Sequence, residues 1–337
     1  MTRQVAVIGA GSWGTALAAA LSVRMPRVTL WCREAEIAAG IGQQRRNPLY
    51  LSDLTLPDGV VPSTDLIATA SSHDVLVMAI PVQFTRPLML QIQPYLQPGV
   101  VIVSASKGIE VATLTLLSDM YRQTLGPELA RRCCYLSGPS FAREVVQQLP
   151  TAVVIAGDEA SLVEEMQQLC STPFFRCYRC SDPVGVQLGG ALKNIIAIAA
   201  GISDGLGLGH NARAALISRG LVEMIRFGSH FGGQPATFAG LSGLGDLLLT
   251  ATSDQSRNYR VGWRIGCGDQ PETVFQGMTE VAEGVTTTLG VYRLAQQHHI
   301  DMPITEAVQA ILHQGGQPQA VVADLMARSL KAEREFL

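Results

Sequence analysis

The fold is decided near the start of the chain, where the sequence reads Val5-Ala6-Val7-Ile8-Gly9-Ala10-Gly11-Ser12-Trp13-Gly14. An apolar, strand-like run leads directly into a G-x-G-x-x-G pattern, and the helical run 15–21 follows it. This order predicts the strand, turn and helix of a Rossmann-type dinucleotide site. The anionic pyrophosphate of the dinucleotide would lie at the N-terminus of the helix. We expect five residues of the turn to form this part of the cofactor site: Gly9, Gly11, Ser12, Trp13 and Gly14.

Further apolar runs alternate with helix-length segments through the first half of the chain. Besides 5–8 they are 28–31, 75–80, 100–104, 135–137, 152–155 and 174–178. Strands that are apolar on both faces and separated by helices predict a mainly parallel sheet covered on both sides. After residue 182 the pattern changes to long helical runs at 184–202, 211–231, 285–298 and 304–313. The sequence therefore predicts an α/β Rossmann-type domain over residues 1–182 and an all-α domain over residues 183–337.

Composition excludes several classes of partner. The chain has 337 residues and a net charge of −3, so its overall field attracts neither nucleic acid nor anionic membrane. The apolar run 184–208 contains Lys193, Asn194 and Asp204, which favours a buried helix over membrane insertion. The seven cysteines, an odd number, indicate free thiols and a cytoplasmic protein. The single C-x-x-C, at 177–180, has no second pair of ligands beside it, so we expect no metal.

The end of the second strand bears on the choice of cofactor. NAD enzymes usually carry an acidic residue at this place, which binds the ribose hydroxyls. Here the sequence reads Trp31-Cys32-Arg33-Glu34. The guanidinium of Arg33 would suit a 2′-phosphate and stack on the adenine, whereas Glu34 keeps the ribose hydroxyls as an alternative. NADP(H) is therefore the preferred cofactor, and NAD(H) stays open.

Six further motifs follow along the chain. They are Ser106-Lys107-Gly108-Ile109-Glu110, Ser137-Gly138-Pro139-Ser140-Phe141-Ala142, Ala191-Leu192-Lys193-Asn194, Gly243-Leu244-Gly245-Asp246, Ser256-Arg257-Asn258 and Val281-Ala282-Glu283-Gly284. Their order and spacing resemble the bacterial NAD(P)-dependent glycerol-3-phosphate dehydrogenases, from the first strand to at least Val308. The resemblance implies a Rossmann domain followed by a helical domain. It also implies reduction of dihydroxyacetone phosphate, a small phosphorylated triose, to sn-glycerol 3-phosphate for glycerophospholipid synthesis.

Lys193 is the candidate catalytic residue. It lies in an otherwise apolar helical run, among Ile195, Ile196 and Ile198. Desolvation there should lower its pKa, so that it could exchange a proton near neutral pH. In the family that the chain resembles, the matching lysine donates the proton in reduction and accepts it in oxidation.

The resemblance assigns the remaining contacts, and the residues themselves fit them. The implied substrate contacts are Lys107, Gly138, Ser140, Lys193, Asp246, Ser256, Arg257 and Asn258. The implied cofactor contacts outside the glycine turn and Arg33 are Lys107, Ala142, Arg257, Val281 and Glu283. Physically, Lys107 follows a strand at the carboxyl edge of the sheet, and Ser-Arg-Asn at a helix start would suit a phosphate monoester. Asp246 could contact a substrate hydroxyl, orient Lys193 or simply cap a helix.

Two other functions stay open on the residues alone. One is a related two-domain dehydrogenase acting on a hydroxy acid such as 6-phosphogluconate or ketopantoate. The other is a non-catalytic sensor that binds NADP and keeps only the fold. A sensor would have no reason to retain a buried lysine with Asp246 and Arg257 at hand, and the cluster of cations favours a small phosphorylated triose. The apolar helical domain could also bury the interface of a homodimer.

Overall fold

The computed structural model describes residues 3–277, 282–330 and 332–333. The contacts divide the chain into two units. The first comprises the residues up to Ser106 together with Leu117–Pro183, and the second comprises Lys107–Leu116 together with the residues from Val184 onward. The short segment Lys107–Leu116 lies before residue 182 but packs with the second unit. The functional division at residue 182 stays a prediction.

The first unit is built on one eight-stranded sheet. Its strands are β1 (Val5–Ile8), β2 (Val28–Trp31), β3 (Val60–Ser63), β4 (Val75–Met78), β5 (Val101–Ser104), β6 (Cys133–Ser137), β7 (Thr151–Gly157) and β8 (Phe175–Cys180). Their order in the sheet is β3-β2-β1-β4-β5-β6-β7-β8. The neighbouring strands are parallel except β6 and β7, which are antiparallel. The mainly parallel sheet predicted from the sequence is confirmed.

Strand β3 is an element that the apolar runs did not predict. It is short, and Pro62 occupies its third position. Proline cannot donate to a ladder, so a run that contains it does not look like a strand. In the structure β3 forms the edge of the sheet and pairs with β2, with Pro62 opposite Leu30. An edge is the position in a sheet that tolerates proline.

Strand β1 lies where the strand order reverses. It pairs with β2 on one side and with β4 on the other, so that Ile8 stands opposite both Trp31 and Met78. In doubly wound sheets, ligands bind beyond the carboxyl ends of the strands at this point. Gly9 follows β1 directly, so the topology places the glycine turn there.

Helices pack with the sheet to form the apolar core of the first unit. Within the described residues they are α1 (Ser12–Leu21), α2 (Ala35–Gln44), α3 (Leu66–Ser72), α4 (Thr85–Ile92), α5 (Leu117–Leu125), α6 (Pro127–Ala130), α7 (Ala142–Val146) and α8 (Ala160–Cys170). The core includes Val7, Leu30 and Val77, which are fully buried or nearly so. Burial on both faces explains why these strands read as continuous apolar runs.

The second unit is helical, as predicted. Its described helices are α9 (Pro183–Gly205), α10 (Gly209–His230), α11 (Pro235–Phe238), α12 (Asp246–Ala251), α13 (Arg257–Gly266), α14 (Pro271–Gln276), α15 (Glu283–Gln297), α16 (Pro303–His313) and α17 (Pro318–Met326). Helix α9 is long and apolar enough to cross a membrane, but 94% of its apolar window is buried inside the protein. It is therefore the buried core helix that the sequence predicted for 184–208.

Helix α13 packs on α9 through glycines of both helices. A Cβ atom added at Gly201 of α9 would lie 2.1 Å from the carbonyl oxygen of Tyr259. One added at Gly262 of α13 would lie 2.0 Å from the carbonyl oxygen of Ile198. The two backbones thus approach more closely than any side chain would permit. This approach brings the start of α13, with its Ser-Arg-Asn motif, beside the middle of α9.

Candidate active site

Asp246 is brought to Lys193 by a tight turn that packs on α9. Leu241–Gly245 forms a π-helical turn, and Asp246 begins α12 directly after it. A Cβ atom added at Gly189 of α9 would lie 2.4 Å from the carbonyl oxygen of Ser242, so the turn can approach only a glycine. Gly189 and Lys193 are four residues apart and therefore share one face of the helix. The close approach at Gly189 thus delivers Asp246 to Lys193.

Three charged side chains meet at this point. Lys107 Nζ donates to Asp246 Oδ2 at 2.8 Å, and Lys193 Nζ donates to Asp246 Oδ1. Lys193 Nζ also donates to Thr250 Oγ1 at 2.8 Å. The side chain of Asp246 is only 1% exposed, against 9% for Lys193 and 15% for Lys107. We call Lys107, Lys193 and Asp246 the charged triad; the structure brings all three together from separate motifs.

The environment of the triad tunes its protonation. Burial lowers the pKa of Lys193 to about 7; Asp246 opposes this shift and Lys107 adds to it. Burial alone would raise the pKa of Asp246, but the two ammonium groups outweigh it and hold that pKa below its ordinary value. Near neutral pH, Lys193 can therefore gain or lose a proton while Asp246 stays ionised. A lysine in this state is suited to general acid–base chemistry.

The carboxamide of Asn258 connects three helices near the triad. Its Nδ2 donates to Asn194 Oδ1 at 2.9 Å, and its Oδ1 accepts the backbone N–H of Gly284 at 3.0 Å. These bonds join α13 to α9 and to the first turn of α15. The sequence assigned Asn258 to the substrate, but the structure commits its oxygen and one amide hydrogen to the protein. Its second amide hydrogen and its backbone are what it could offer to a ligand.

Ser256, Arg257 and Glu283 stand at the starts of two helices. Ser256 caps α13 by accepting the backbone N–H of Tyr259 on its Oγ at 3.2 Å, and Arg257 is the first residue of that helix. Glu283 begins α15. Burial raises the pKa of Glu283, while the charges of Arg257, Lys107 and Lys193 oppose the rise. Arg257 and Glu283 therefore lie within electrostatic reach of the triad, whereas Val281 lies outside the described residues.

The glycine turn of the first unit fits a dinucleotide. Gly9 has a φ of +110°, and a Cβ atom added at Gly14 would lie 1.8 Å from the carbonyl oxygen of Gly9. The space beside Gly11 is open, since a Cβ atom there would meet nothing within 4 Å. Helix α1 begins after Gly11 with no side-chain cap and no acidic residue in its first turn, so it is available to an anion. Among the described residues the buried Nε1 of Trp13 has no hydrogen-bond partner.

Arg33 lies just beyond β2 and is 74% exposed. Its Nε donates to Glu34 Oε1 at 2.7 Å, so the two residues considered for the cofactor ribose form an ion pair with each other. A ligand phosphate would compete with Glu34 for this guanidinium.

Gly138, Ser140 and Ala142 follow β6 in the first unit. Gly138 has a φ of +147°, and a Cβ atom added there would lie 2.8 Å from Val153 Cα, so the position requires glycine. Ser140 Oγ donates to the carbonyl oxygen of Gly138 at 2.9 Å, and Ala142 begins α7. Their contacts to substrate and cofactor stay predictions.

Thr250 and Asn47 were not predicted from the sequence. Thr250 is four residues after Asp246, so helical spacing could have signalled that both face Lys193. Asn47 belongs to none of the motifs, yet it is fully buried and donates to the glycine turn through the carbonyl oxygen of Ala10. Nothing in the sequence near Asn47 points to a contact 37 residues away.

Comparisons with known proteins identify the family of this chain. The family model for the N-terminus of NAD-dependent glycerol-3-phosphate dehydrogenase matches residues 4–163, and the model for its C-terminus matches residues 182–323. A curated relative from Geobacter metallireducens, named glycerol-3-phosphate dehydrogenase (NAD(P)+), is 50% identical over 334 residues, 99% of this chain and 100% of the relative. The crystal structure of glycerol-3-phosphate dehydrogenase from Coxiella burnetii is 38% identical with a TM-score of 0.92, covering 97% of this chain and 99% of that one.

The comparisons also separate this family from a neighbour with the same fold. A ketopantoate reductase structure from Ralstonia eutropha covers 95% of this chain and 99% of its own, with a TM-score of 0.58 and 15% identity, a likeness of fold alone. The sequence identity is much higher with the relatives named above, at 50% and 38% over nearly the whole chain. The chain belongs to the NAD-dependent glycerol-3-phosphate dehydrogenase family.

Proposed function

We propose that this chain reduces dihydroxyacetone phosphate to sn-glycerol 3-phosphate, with NADPH as its preferred reductant. The chain is an NAD(P)-dependent oxidoreductase of the family that acts on a CH–OH group. The observation that carries the proposal is the charged triad: a buried lysine with a pKa of about 7, held by a carboxylate that stays ionised. A protein that only senses a dinucleotide has no use for such a group.

Lys193 acts as the proton donor in this proposal. As the ketone is reduced, negative charge develops on its oxygen, and the Nζ of Lys193 transfers a proton to that oxygen. Asp246 and Thr250 account for two of the three Nζ donors among the described residues, which leaves one for the substrate. In the reverse direction the neutral amine takes the proton from the alcohol. When bound, a reduced nicotinamide would supply the hydride that the ketone carbon accepts.

Lys107 and Asp246 prepare Lys193 for this step. Asp246 fixes the position of the ammonium group, and Lys107 keeps Asp246 ionised by bonding to its second oxygen. The positive charge of Lys107 also stabilises the oxyanion that develops before the proton arrives. Because both lysines are largely buried, their charges act at low dielectric and are worth more than at the surface.

The substrate phosphate would be held at the start of α13. Arg257 supplies a guanidinium that can bind two phosphate oxygens, and Ser256 supplies a hydroxyl that can still donate. Asn258 contributes through its remaining amide hydrogen and through its hold on Asn194. Gly138 and Ser140 are proposed as further substrate contacts, and Ala142, Val281 and Glu283 as contacts to the cofactor.

The preference for NADPH rests on Arg33, whose exposed guanidinium suits a 2′-phosphate. The location that we propose is the cytoplasm, because all seven cysteines carry free thiols and five of them are buried. Supply of sn-glycerol 3-phosphate to glycerophospholipid synthesis is what the family resemblance implies. The homodimer stays a prediction from the apolar character of the helical domain.

The experiment that tests this function follows the near-ultraviolet absorbance of the reduced nicotinamide. Purified protein is given dihydroxyacetone phosphate with NADPH or NADH, and ketopantoate serves as the competing substrate; 6-phosphogluconate is tested in the oxidative direction. We expect rapid oxidation of the reduced nicotinamide with dihydroxyacetone phosphate, and no turnover of the other two substrates. Turnover of ketopantoate or 6-phosphogluconate only would show that the proposed substrate is wrong. Tight binding of NADPH without turnover of any substrate would point to a sensor.

A further inference from the structure

Asn47 is a fully buried polar residue in the connection between α2 and β3. Its Nδ2 donates to the carbonyl oxygen of Ala10 at 2.8 Å and to Thr15 Oγ1 at 2.8 Å. Its Oδ1 accepts the backbone N–H groups of Leu49 at 3.2 Å and Tyr50 at 3.1 Å. These four bonds use both donors and both acceptor positions of the carboxamide. Asn47 therefore ties its own turn to the glycine turn that follows β1.

The bond to Ala10 determines how the next peptide group points. In a trans peptide the C=O and the following N–H point in opposite directions, and the described residues contain no cis peptide bond. Because Asn47 holds the carbonyl of Ala10 toward the interior, the N–H of Gly11 must point the other way. The space beside the Cα atom of Gly11 is open, since a Cβ atom there would meet nothing within 4 Å. The N–H of Gly11 is thus presented to whatever anion occupies the start of α1.

Thr15 makes this arrangement rigid. It lies in the first turn of α1, and its backbone N–H donates to the carbonyl oxygen of Gly11 at 2.9 Å. Its Oγ1 accepts from Asn47 and is 3.4 Å from the carbonyl oxygen of Ala10. Asn47, Thr15 and Ala10 therefore form a closed set of buried polar contacts, none of which involves the residues that would touch a ligand. A peptide held in this way cannot rotate without leaving a buried amide hydrogen unpaired.

We propose that Asn47 is a positioning residue for the dinucleotide: it holds the Ala10–Gly11 peptide in the orientation that binds pyrophosphate before any ligand arrives. The inference rests on the proposed function in one respect, namely that the glycine turn binds a dinucleotide. Asn47 does not touch the ligand. Its effect is pre-organisation, because the protein bears the cost of fixing the peptide during folding instead of during binding.

The test measures binding and stability separately in Asn47→Ala and in a matched control. Asp65→Ala is the control: Asp65 caps α3 in the same unit by accepting the N–H of Ala68 at 2.9 Å, and its hydrogen bonds to Ser63, Ala68 and Thr69 do not involve the glycine turn. Both variants should lower Tm. Only Asn47→Ala should weaken binding of NADPH and of ADP-ribose, which carries the pyrophosphate, by roughly tenfold to a hundredfold in Kd. Binding of 2′-AMP, which lacks the pyrophosphate, should change little.

A second variant covers the case in which Asn47→Ala does not fold. Asn47→Asp keeps both acceptors for Leu49 and Tyr50, and so keeps the turn, but it loses the donor to Ala10. It should show the same selective loss for ADP-ribose, and the loss should persist at high salt, where a simple charge effect would be screened. An equal loss for ADP-ribose and 2′-AMP, or no loss beyond that of Asp65→Ala, would overturn the inference. Wild-type protein that binds NADPH without reducing dihydroxyacetone phosphate would overturn the proposed function and leave this test intact.

Discussion

Lys193 and Asp246 form an ion pair that is almost completely buried, with side chains 9% and 1% exposed. Each charge in such a pair depends on the other, because neither has water to replace its partner. Removing one partner of a buried pair typically costs about 3–5 kcal/mol. Here the loss is moderated by Lys107, which bonds to the second oxygen of Asp246 and would remain after removal of Lys193.

Substitution of Lys193 should separate binding from chemistry. Lys193→Ala removes the proton donor, so kcat for reduction should fall by about a hundredfold to ten thousandfold. Kd for NADPH, measured by fluorescence titration, should stay within a small factor of the wild-type value. Thr250→Val removes one hydrogen bond of the same ammonium group, and it should lower kcat less than Lys193→Ala does. Substantial turnover in Lys193→Ala would contradict the role in proton transfer.

The pH dependence of kcat/KM should have opposite signs for reduction of the ketone and for oxidation of the alcohol. Burial lowers the pKa of Lys193 to about 7, and reduction needs its protonated form. The value of kcat/KM for reduction should therefore fall as pH rises through about 7, and that for oxidation should rise. Asp246→Asn removes the carboxylate that favours the ammonium, so the limb should move to lower pH. A limb that does not move would mean that another group titrates.

Arg33 should decide between the two cofactors. Arg33→Ala should raise KM for NADPH more than for NADH, because only NADPH carries the 2′-phosphate. Glu34→Gln should have the reverse effect, since it frees a guanidinium that Glu34 now holds at 2.7 Å. Steady-state kinetics with both cofactors measure the ratio. Equal losses for NADPH and NADH in Arg33→Ala would remove the argument for recognition of the phosphate.

Glu223 should make stability fall between acid and neutral pH. It accepts the backbone N–H groups of Ile304 and Thr305 at the start of α16, and burial raises its pKa from 4.5 to about 7. In that window the folded protein holds a proton that the unfolded chain has lost, so the free energy of unfolding decreases as pH rises. Glu223→Gln cannot ionise and should lack this part of the decrease. Parallel plots of Tm against pH for variant and wild type would count against it.

The packing of α13 on α9 should be sensitive to a single methyl group. In Gly262→Ala the new Cβ atom would lie 2.0 Å from the carbonyl oxygen of Ile198, so the helices must separate. The cost should be about 3 kcal/mol or more, read from chemical denaturation. Gly277→Ala is the matched control, because its Cβ atom would lie 3.6 Å from its nearest neighbour. Similar stability of the two variants would contradict the close packing.

The sequence predicted those features that depend on local pattern. The glycine turn, the buried strands and Lys193 in an apolar helix can all be recognised within a window of some 20 residues. Strand β3 was not predicted, because a run that contains Pro62 does not have the pattern of a strand. The bond from Lys107 to Asp246 spans 139 residues, and a contact of that kind depends on the packing of a whole unit. The family resemblance assigned Asn258 to the substrate, and its bonds to Asn194 and Gly284 appear only in the structure.

The assignment of Lys107–Leu116 to the second unit has a consequence for how this gene can be divided. The chain passes from one unit to the other three times, at residues 106–107, 116–117 and 183–184. A fragment that begins at Val184 would encode Lys193 and Asp246 without the ammonium group that bonds to the second carboxylate oxygen. Recombination at a single breakpoint therefore cannot exchange the helical half intact. We therefore expect the coding regions of the two units to be inherited together, although each unit has its own apolar core.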